Sequence, residues 1–142
     1  MAWPRDARFT IGTNADVLAF IERKQPSAHD DVASALMQSA RGLSQVEWYC
    51  PDPHRYAYVV LHTRDNRIFG VAFGMSALAY RLPPGRIAEA VSEGGRVYAE
   101  IGDDWVAFEP WEGRDAAARL RRWCGVACAH ARGVDLKHSD QS

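Results

Sequence analysis

Arginine side chains near the end of the chain are the clearest candidates for chemistry. Arg114, Arg119, Arg121 and Arg122 follow one another closely. Residues three apart on a helix share a surface, so Arg119 and Arg122 are neighbours there and Arg121 widens the cluster. Such a cluster binds phosphates in a salt-dependent way. The four arginines are therefore a candidate nucleic-acid-binding site, and the alternative is a solvated face paired with acidic residues.

A second candidate site lies around a segment with unusually small residues. Gly70, Ala72 and Gly74 alternate with bulky side chains, so one face of a strand there would be nearly bare. Small residues on a strand face permit the close approach of a helix, a neighbouring backbone or a ligand. With His62 and Tyr80 they form a candidate ligand-binding set, and a tightly packed helix is the structural alternative.

Residues of catalytic and metal-binding types form no recognised pattern in this chain. Cys124 and Cys128 are four apart on a predicted helix, but a zinc site would need two further ligands, and buried thiols explain the pair better. Ser76 and His62 come close in the predicted sheet without an acid to orient them. We assign no catalytic residue, no metal site and no cofactor.

Composition indicates an ordinary globular protein. The chain has 142 residues, 47% of them apolar and 25% charged, with a net charge of −1, which argues against a general polyanion binder. We expect one domain over residues 1–142. No segment resembles a membrane span or a signal peptide, and three cysteines without a CxxC pair suggest reduced thiols. A cytoplasmic location and no membrane partner are expected.

The middle of the chain predicts an antiparallel sheet. Short segments rich in β-branched and aromatic residues alternate with turn residues. The expected five strands lie near 56–63, 67–74, 77–82, 96–101 and 105–109. Tight turns around Asp65, Met75 and Asp103 join neighbouring strands.

Helical periodicity on both sides of this segment completes an α+β fold. Two N-terminal helices are expected before residue 45, one beginning at Asn14 and one at a Ser27–Asp30 capping box. The remaining expected segments are an extended arm at 1–12, a connector at 44–55, an inserted helix at 84–93, a C-terminal helix at 113–132 and a frayed tail at 134–142. Leu120 and Trp123 of the last helix should cover the sheet.

The order of these elements resembles a known small α/β domain. Arg67–Gly70 is similar to the first strand of the TfoX N-terminal and MmcQ/YjbR families, and Leu78–Leu82 resembles their apolar-Tyr-x-Lys-Leu strand, with Arg81 at the lysine position. Asp115, Leu120, Trp123 and Ala127 resemble the pattern of their final helix. The resemblance covers residues 67–131. It implies a cytoplasmic bacterial protein with nucleic-acid or regulatory contacts, and it supplies no catalytic residues.

These observations favour a binding or regulatory module without catalysis. Five tryptophans and strands with two apolar faces suggest self-association into a homodimer. One alternative is a nucleic-acid-associated regulator that uses the arginines of the last helix. A second alternative is a small enzyme with a pocket beside the glycine-lined strand 67–74.

Overall fold

The fold is α+β, with an open six-stranded antiparallel sheet. A computed structural model describes residues 7–24, 27–51 and 58–133. Within these ranges the helices are α1 (Ala15–Lys24), α2 (Asp30–Ser39), α3 (Ile87–Ser92) and α4 (Ala116–Ala131). The strands are β1 (Val46–Tyr49), β2 (Val59–Thr63), β3 (Ile68–Phe73), β4 (Ala77–Arg81), β5 (Arg96–Val97) and β6 (Trp105–Phe108). Their order in the sheet is β1-β2-β3-β4-β6-β5.

Helices cover both faces of the sheet. On one face α1 buries Val17, Phe20 and Ile21 against the strands, and the rings of Phe20 and Phe73 meet edge to face at 5.1 Å between centroids. Because each side of the sheet has its own apolar core, strands β2, β3, β4 and β6 are buried on both faces, whereas the edge strands β1 and β5 are partly or fully exposed.

The opposite face is covered by α2 and α4, as the apolar stripe of the last helix predicts. Leu120 and Trp123 are both buried, and the Trp123 ring stacks on Phe108 with centroids 6.5 Å apart. Leu36 of α2 is buried in the same core. The prediction that α4 packs against the sheet through Leu120 and Trp123 is therefore confirmed.

The prediction of five strands is wrong, because the sheet has a sixth strand, β1, inside the expected connector at 44–55. β1 pairs antiparallel with β2, and Trp48 lies opposite Leu61. Val46 and Trp48 share one face of β1, as strand periodicity requires. Pro51, whose nitrogen cannot donate a hydrogen bond to a neighbouring strand, lies beyond the end of β1.

The strand expected at 96–101 is also too long. Only Arg96–Val97 is a strand, because the chain turns immediately afterwards. The amides of Ile101 and Gly102 both donate to the carbonyl of Tyr98, at 3.0 and 3.2 Å, and these bonds curl the backbone away from the sheet. The β-branched and aromatic residues of segment 96–101 predicted a longer strand and did not indicate this turn.

The other predicted boundaries agree with the structure to within a few residues. The strands expected at 56–63, 67–74, 77–82 and 105–109 correspond to β2, β3, β4 and β6, and the helices at 84–93 and 113–132 to α3 and α4. The inserted helix begins with a 3-10 turn, Pro84–Arg86. Part of the expected extended arm forms two further 3-10 turns, Ala7–Phe9 and Gly12–Asn14. Residues 1–6, 25–26, 52–57 and 134–142 lie outside the described residues.

The start of α1 differs from the prediction, because Asn14 has another role. Asn14 is fully buried, and α1 begins one residue later. Its side-chain nitrogen donates to the carbonyls of Phe9 at 2.9 Å and Asn66 at 2.8 Å. Its side-chain oxygen accepts from the Ile68 amide at 2.8 Å. Asn14 therefore fastens the N-terminal segment to the β2–β3 turn.

The start of α2 is capped by His29 and not by the predicted Ser27. The His29 Nδ1 accepts a hydrogen bond from the Asp31 amide at 3.1 Å. The His29 amide donates to the Gly74 carbonyl at 2.8 Å. The first turn of α2 is thereby attached to the β3–β4 turn.

A β-bulge in β3 changes the predicted alternation of its side chains. Leu61 lies opposite Gly70 but His62 lies opposite Ile68, which leaves Phe69 as an extra residue. Phe69 was expected on the face opposite Gly70. It packs instead in the core beneath α2 and α4.

Candidate functional site

The expected ligand-binding face at Gly70 is filled by side chains. A Cβ placed on Gly70 would lie 3.3 Å from Leu61, 3.4 Å from Leu36 and 3.4 Å from Tyr80. Ala72 is fully buried in the same core. The small residues of β3 thus allow α2 to approach closely, as in the structural alternative.

His62 and Gly74 lie away from this face. The His62 ring packs against Phe9, with centroids 4.9 Å apart, in the layer that also contains α1. Its Nδ1 is 2.8 Å from the Thr63 carbonyl oxygen, and its Nε2 is 3.9 Å from a carboxylate oxygen of Glu47. Gly74 occupies a turn with a φ of +70°. The sheet therefore separates His62 from Gly70 and Tyr80.

Two of the four predicted arginines make intramolecular contacts on one side of α4. Arg119 donates to the Glu112 carbonyl at 3.1 Å. Arg122 forms an ion pair with Glu93, and the same carboxylate accepts a hydrogen bond from Trp123 Nε1 at 3.0 Å. The charge of Arg122 is therefore balanced within the protein.

The other two predicted arginines differ in position. Arg121 points to a concave surface between α2 and α4, whereas Arg114 is exposed in the segment before α4. The structure therefore distributes the four arginines around α4 and does not gather them into one patch. Arg121 lines a candidate site between α2 and α4 that the sequence did not indicate.

The first part of this site is a concavity of about 430 Å³ between α2 and α4. Helix residues form its apolar walls, and polar groups lie at its rim. Its lining consists of Ala35, Gln38, Ser39, Arg41, Pro110, Ala117, Leu120 and Arg121.

Two further concavities share residues with the first. One, of about 350 Å³, shares Gln38 and Arg41 and extends to β1; it is completed by Met37, Ala40, Val46, Trp48 and Leu61. The other, of about 530 Å³, shares Arg121; it is completed by Gly42, Leu43, Ser44, Arg122, Gly125, Val126, Cys128, Ala129 and Arg132. We call this continuous surface, lined by all three sets of residues, the arginine groove.

The arginine groove is positively charged although the chain as a whole is not. Four arginines line it, Arg41, Arg121, Arg122 and Arg132, and none of the described lining residues is acidic. The contact of Arg41 is with a neutral group, Gln38 Oε1, at 3.4 Å. Within the described residues, Arg41, Arg121 and Arg132 form no ion pair. The net charge of −1 therefore conceals a local cationic surface.

The floor of the groove is held by buried hydrogen bonds. Ser39 Oγ donates to the Leu36 carbonyl at 2.6 Å and accepts from the Tyr80 hydroxyl at 2.6 Å. Burial raises the pKa of Tyr80 well above its ordinary value, so the phenol stays protonated and acts as a donor. Ser39 is thus fixed as part of the floor, without a base to activate its hydroxyl.

The thiols beneath the groove are held in their neutral form. Burial raises the pKa of Cys124 to about 12, and burial also raises the pKa of Cys128. Since the thiolate is the reactive form, both side chains behave as small apolar groups in the core of α4. This agrees with the interpretation of the two cysteines as buried core residues.

Two residues of the groove had no functional signal in the sequence. Arg41 follows α2 in the chain, and Trp48 lies in the segment that was expected to be a connector. The packing of α2 beside α4 brings Arg41 and Arg121 to one concavity. An exposed tryptophan near an arginine is a signal that could have been noticed, but only after β1 was recognised as a strand.

Metal-binding clusters and membrane-spanning helices are both absent from the described residues. Within the part of the chain that the structure describes, no three His, Cys, Asp or Glu residues come together as metal ligands. No helix among the described residues has the length and apolar character to cross a membrane. Comparisons with protein-family models, curated proteins and solved structures find no match to this chain.

Proposed function

We propose that this protein is a non-catalytic binding module that holds an anionic ligand in the arginine groove. The observation that carries the proposal is the charge of this surface. Arg41, Arg121 and Arg132 form no ion pair among the described residues, and no described acidic residue lines the three adjoining concavities. Guanidinium groups present planar forks of donors that match phosphate, sulfate and carboxylate groups. A ligand with such groups would find several guanidinium donors side by side in the groove.

The apolar walls support the same proposal. Ala35, Ala117 and Leu120 flank the first concavity, so part of a ligand would be removed from water there. Ligand sites commonly combine apolar walls with a few polar groups that fix orientation. In the groove Arg41 and Arg121 would fix the anionic part of the ligand.

Binding without catalysis is favoured by the state of the nearby nucleophiles. The Ser39 hydroxyl is engaged by Tyr80 and Leu36, and the raised pKa of Cys124 keeps its thiol protonated. Nucleophilic catalysis requires an activating base or a lowered pKa, and these groups have the opposite arrangement.

Chromatography on immobilised heparin, a sulfated polyanion, tests the proposal. The wild type should be retained at low salt, and the double variant Arg41→Ala/Arg121→Ala should elute at clearly lower salt. Each lost anion contact reduces the salt dependence of binding by roughly one unit of slope.

A matched control variant distinguishes binding in the arginine groove from a general effect of positive charge on retention. Arg64 and Arg114 are exposed arginines outside the groove, and Arg64→Ala/Arg114→Ala removes the same charge. This variant should elute close to the wild type. Equal shifts for both double variants, or no retention of the wild type, would overturn the proposal.

We also propose that the protein is cytoplasmic. The thiols of Cys124 and Cys128 form no disulfide bond, which suits a reducing compartment and supports a cytoplasmic location. Self-association into a homodimer and the resemblance to the TfoX N-terminal and MmcQ/YjbR families stay predictions from the sequence.

A further inference from the structure

We infer that the ligand of the arginine groove is single-stranded nucleic acid, with one base stacked on Trp48. This inference rests on the proposed function and identifies the class of its ligand. It depends on the position of an exposed indole at one end of a line of arginines.

Trp48 is the feature that distinguishes the groove from a simple anion site. Its side chain is 56% exposed although it lies on a strand, and it shares a concavity with Arg41. Within the described residues its ring makes no aromatic contact. A ligand that covers the Trp48 indole would remove its apolar surface from water, which favours binding. A flat aromatic face next to a guanidinium suits a nucleobase and its phosphate.

The arginines continue away from Trp48 along the groove. Arg41 lines the concavity that contains Trp48 and also the first concavity, which it shares with Arg121. Arg121 and Arg132 both line the remaining concavity. A single strand carries one phosphate per nucleotide and bends easily, so its backbone can follow this line. A duplex keeps its bases stacked inside, and its base faces are not accessible to Trp48.

An acidic peptide is the main competing ligand. It would satisfy the arginines through carboxylates, but it would make no specific use of the Trp48 face unless it carried an apolar or aromatic residue at the right spacing. A nucleic-acid strand supplies an aromatic face at every position. The combination of Trp48 with Arg41 and Arg121 therefore favours the nucleic acid.

Binding of dye-labelled dT12, a deoxyoligonucleotide, measured by fluorescence anisotropy tests the inference, because this signal does not depend on Trp48. For the wild type we expect binding with a salt slope of about −2, since three arginines contact phosphates on a single strand. Trp48→Ala should weaken binding by about tenfold, the usual effect of losing one stacked base. Trp48→Phe should retain most of the affinity.

Trp111 provides the matched control, because its side chain is 50% exposed but it does not line the groove. Trp111→Ala should bind dT12 like the wild type. An abasic strand of the same length should bind to the wild type more weakly than dT12 does. The wild type and Trp48→Ala should bind this abasic strand with equal affinity. Circular dichroism confirms that each variant is folded.

The possible results separate this inference from the proposed function. Equal binding of dT12 by the wild type and Trp48→Ala, or tighter binding of a glutamate-rich peptide or a duplex than of dT12, would overturn the inference. Retention on heparin that still depends on Arg41 and Arg121 would in that case leave the proposed function standing. Loss of that dependence would contradict both.

Discussion

The Tyr80 hydroxyl donates a hydrogen bond to Ser39 Oγ at 2.6 Å, which joins the middle of the sheet to the last turn of α2. Both residues are buried, and Ser39 also lines the arginine groove. The bond therefore links the fold of the core to the floor of the proposed site. Since β4 and α2 are distant in sequence, this contact fixes a tertiary relationship.

Breaking this bond should destabilise the protein. Tyr80→Phe removes the donor and leaves buried Ser39 with one partner fewer, which costs about 1 kcal/mol of unfolding free energy. Urea unfolding of Tyr80→Phe, Ser39→Ala and the double variant measures the coupling. The double variant should lose less than the sum of the two single changes. Strict additivity would show that the two hydroxyls do not interact.

A second prediction concerns Arg81, which holds α1 to the sheet. Its guanidinium contacts Asp16 at 2.5 Å and Asp104 at 2.7 Å, and its side chain is only 16% exposed. Arg81→Met should cost about 2–3 kcal/mol in urea unfolding, because both carboxylates lose their cation in a partly buried position. Arg67→Met, which breaks an exposed ion pair, should cost less than about 1 kcal/mol. Similar costs for both variants would contradict the assigned role of Arg81.

A third prediction compares two glycines. A Cβ on Gly95 would lie 2.5 Å from Val106 and 3.0 Å from the Ala90 carbonyl, so Gly95→Ala should destabilise by about 1–3 kcal/mol. Gly125 lies inside α4 with open space around its Cβ position. Gly125→Ala should stabilise by about 0.5–1 kcal/mol, because alanine favours the helix. If Gly95→Ala and Gly125→Ala shifted the melting temperature in the same direction, steric exclusion of a Cβ at Gly95, between α3 and β5, would not be the reason for glycine there.

A fourth prediction follows from the raised pKa of Cys124, about 12 in the folded protein. An unfolded cysteine has a pKa of about 8.5, so in base the unfolded state loses its proton first. This contribution to stability is complete below about pH 8.5 and falls as the pH rises toward 12. Between about pH 8 and about pH 10 the wild type should lose about 1–2 kcal/mol more than Cys124→Ala.

Urea unfolding at these pH values measures the difference. If Cys124→Ala lost stability in base as steeply as the wild type, the thiol would not be the group responsible.

Much of the fold could be predicted because its signals are local. The apolar stripe of α4 indicated that Leu120 and Trp123 would be buried, and they are. The turns of the sheet were identified by residues that tolerate positive φ, and Asn66 and Gly74 have φ values of +69° and +70°. Such features depend on neighbours in sequence.

The features that were missed depend on contacts between distant segments. β1 is four residues long and is defined by its pairing with β2, which a short segment cannot reveal alone. The bulge that moves Phe69 to the other face likewise depends on the register of β2 and β3. The groove was missed for the same reason, because Arg41 and Arg121 meet only through the packing of α2 and α4.

The most direct test of anion binding in the arginine groove is an NMR titration. The amide chemical shifts of the ¹⁵N-labelled protein are followed while a short heparin oligosaccharide is added. The largest changes should fall at the end of α2, in the following loop and along the Arg121–Arg132 part of α4. The α1 face, including Asp16 and Phe20, should stay unchanged and serves as the internal control. Changes concentrated on α1, or spread evenly over all exposed arginines, would contradict the proposed site.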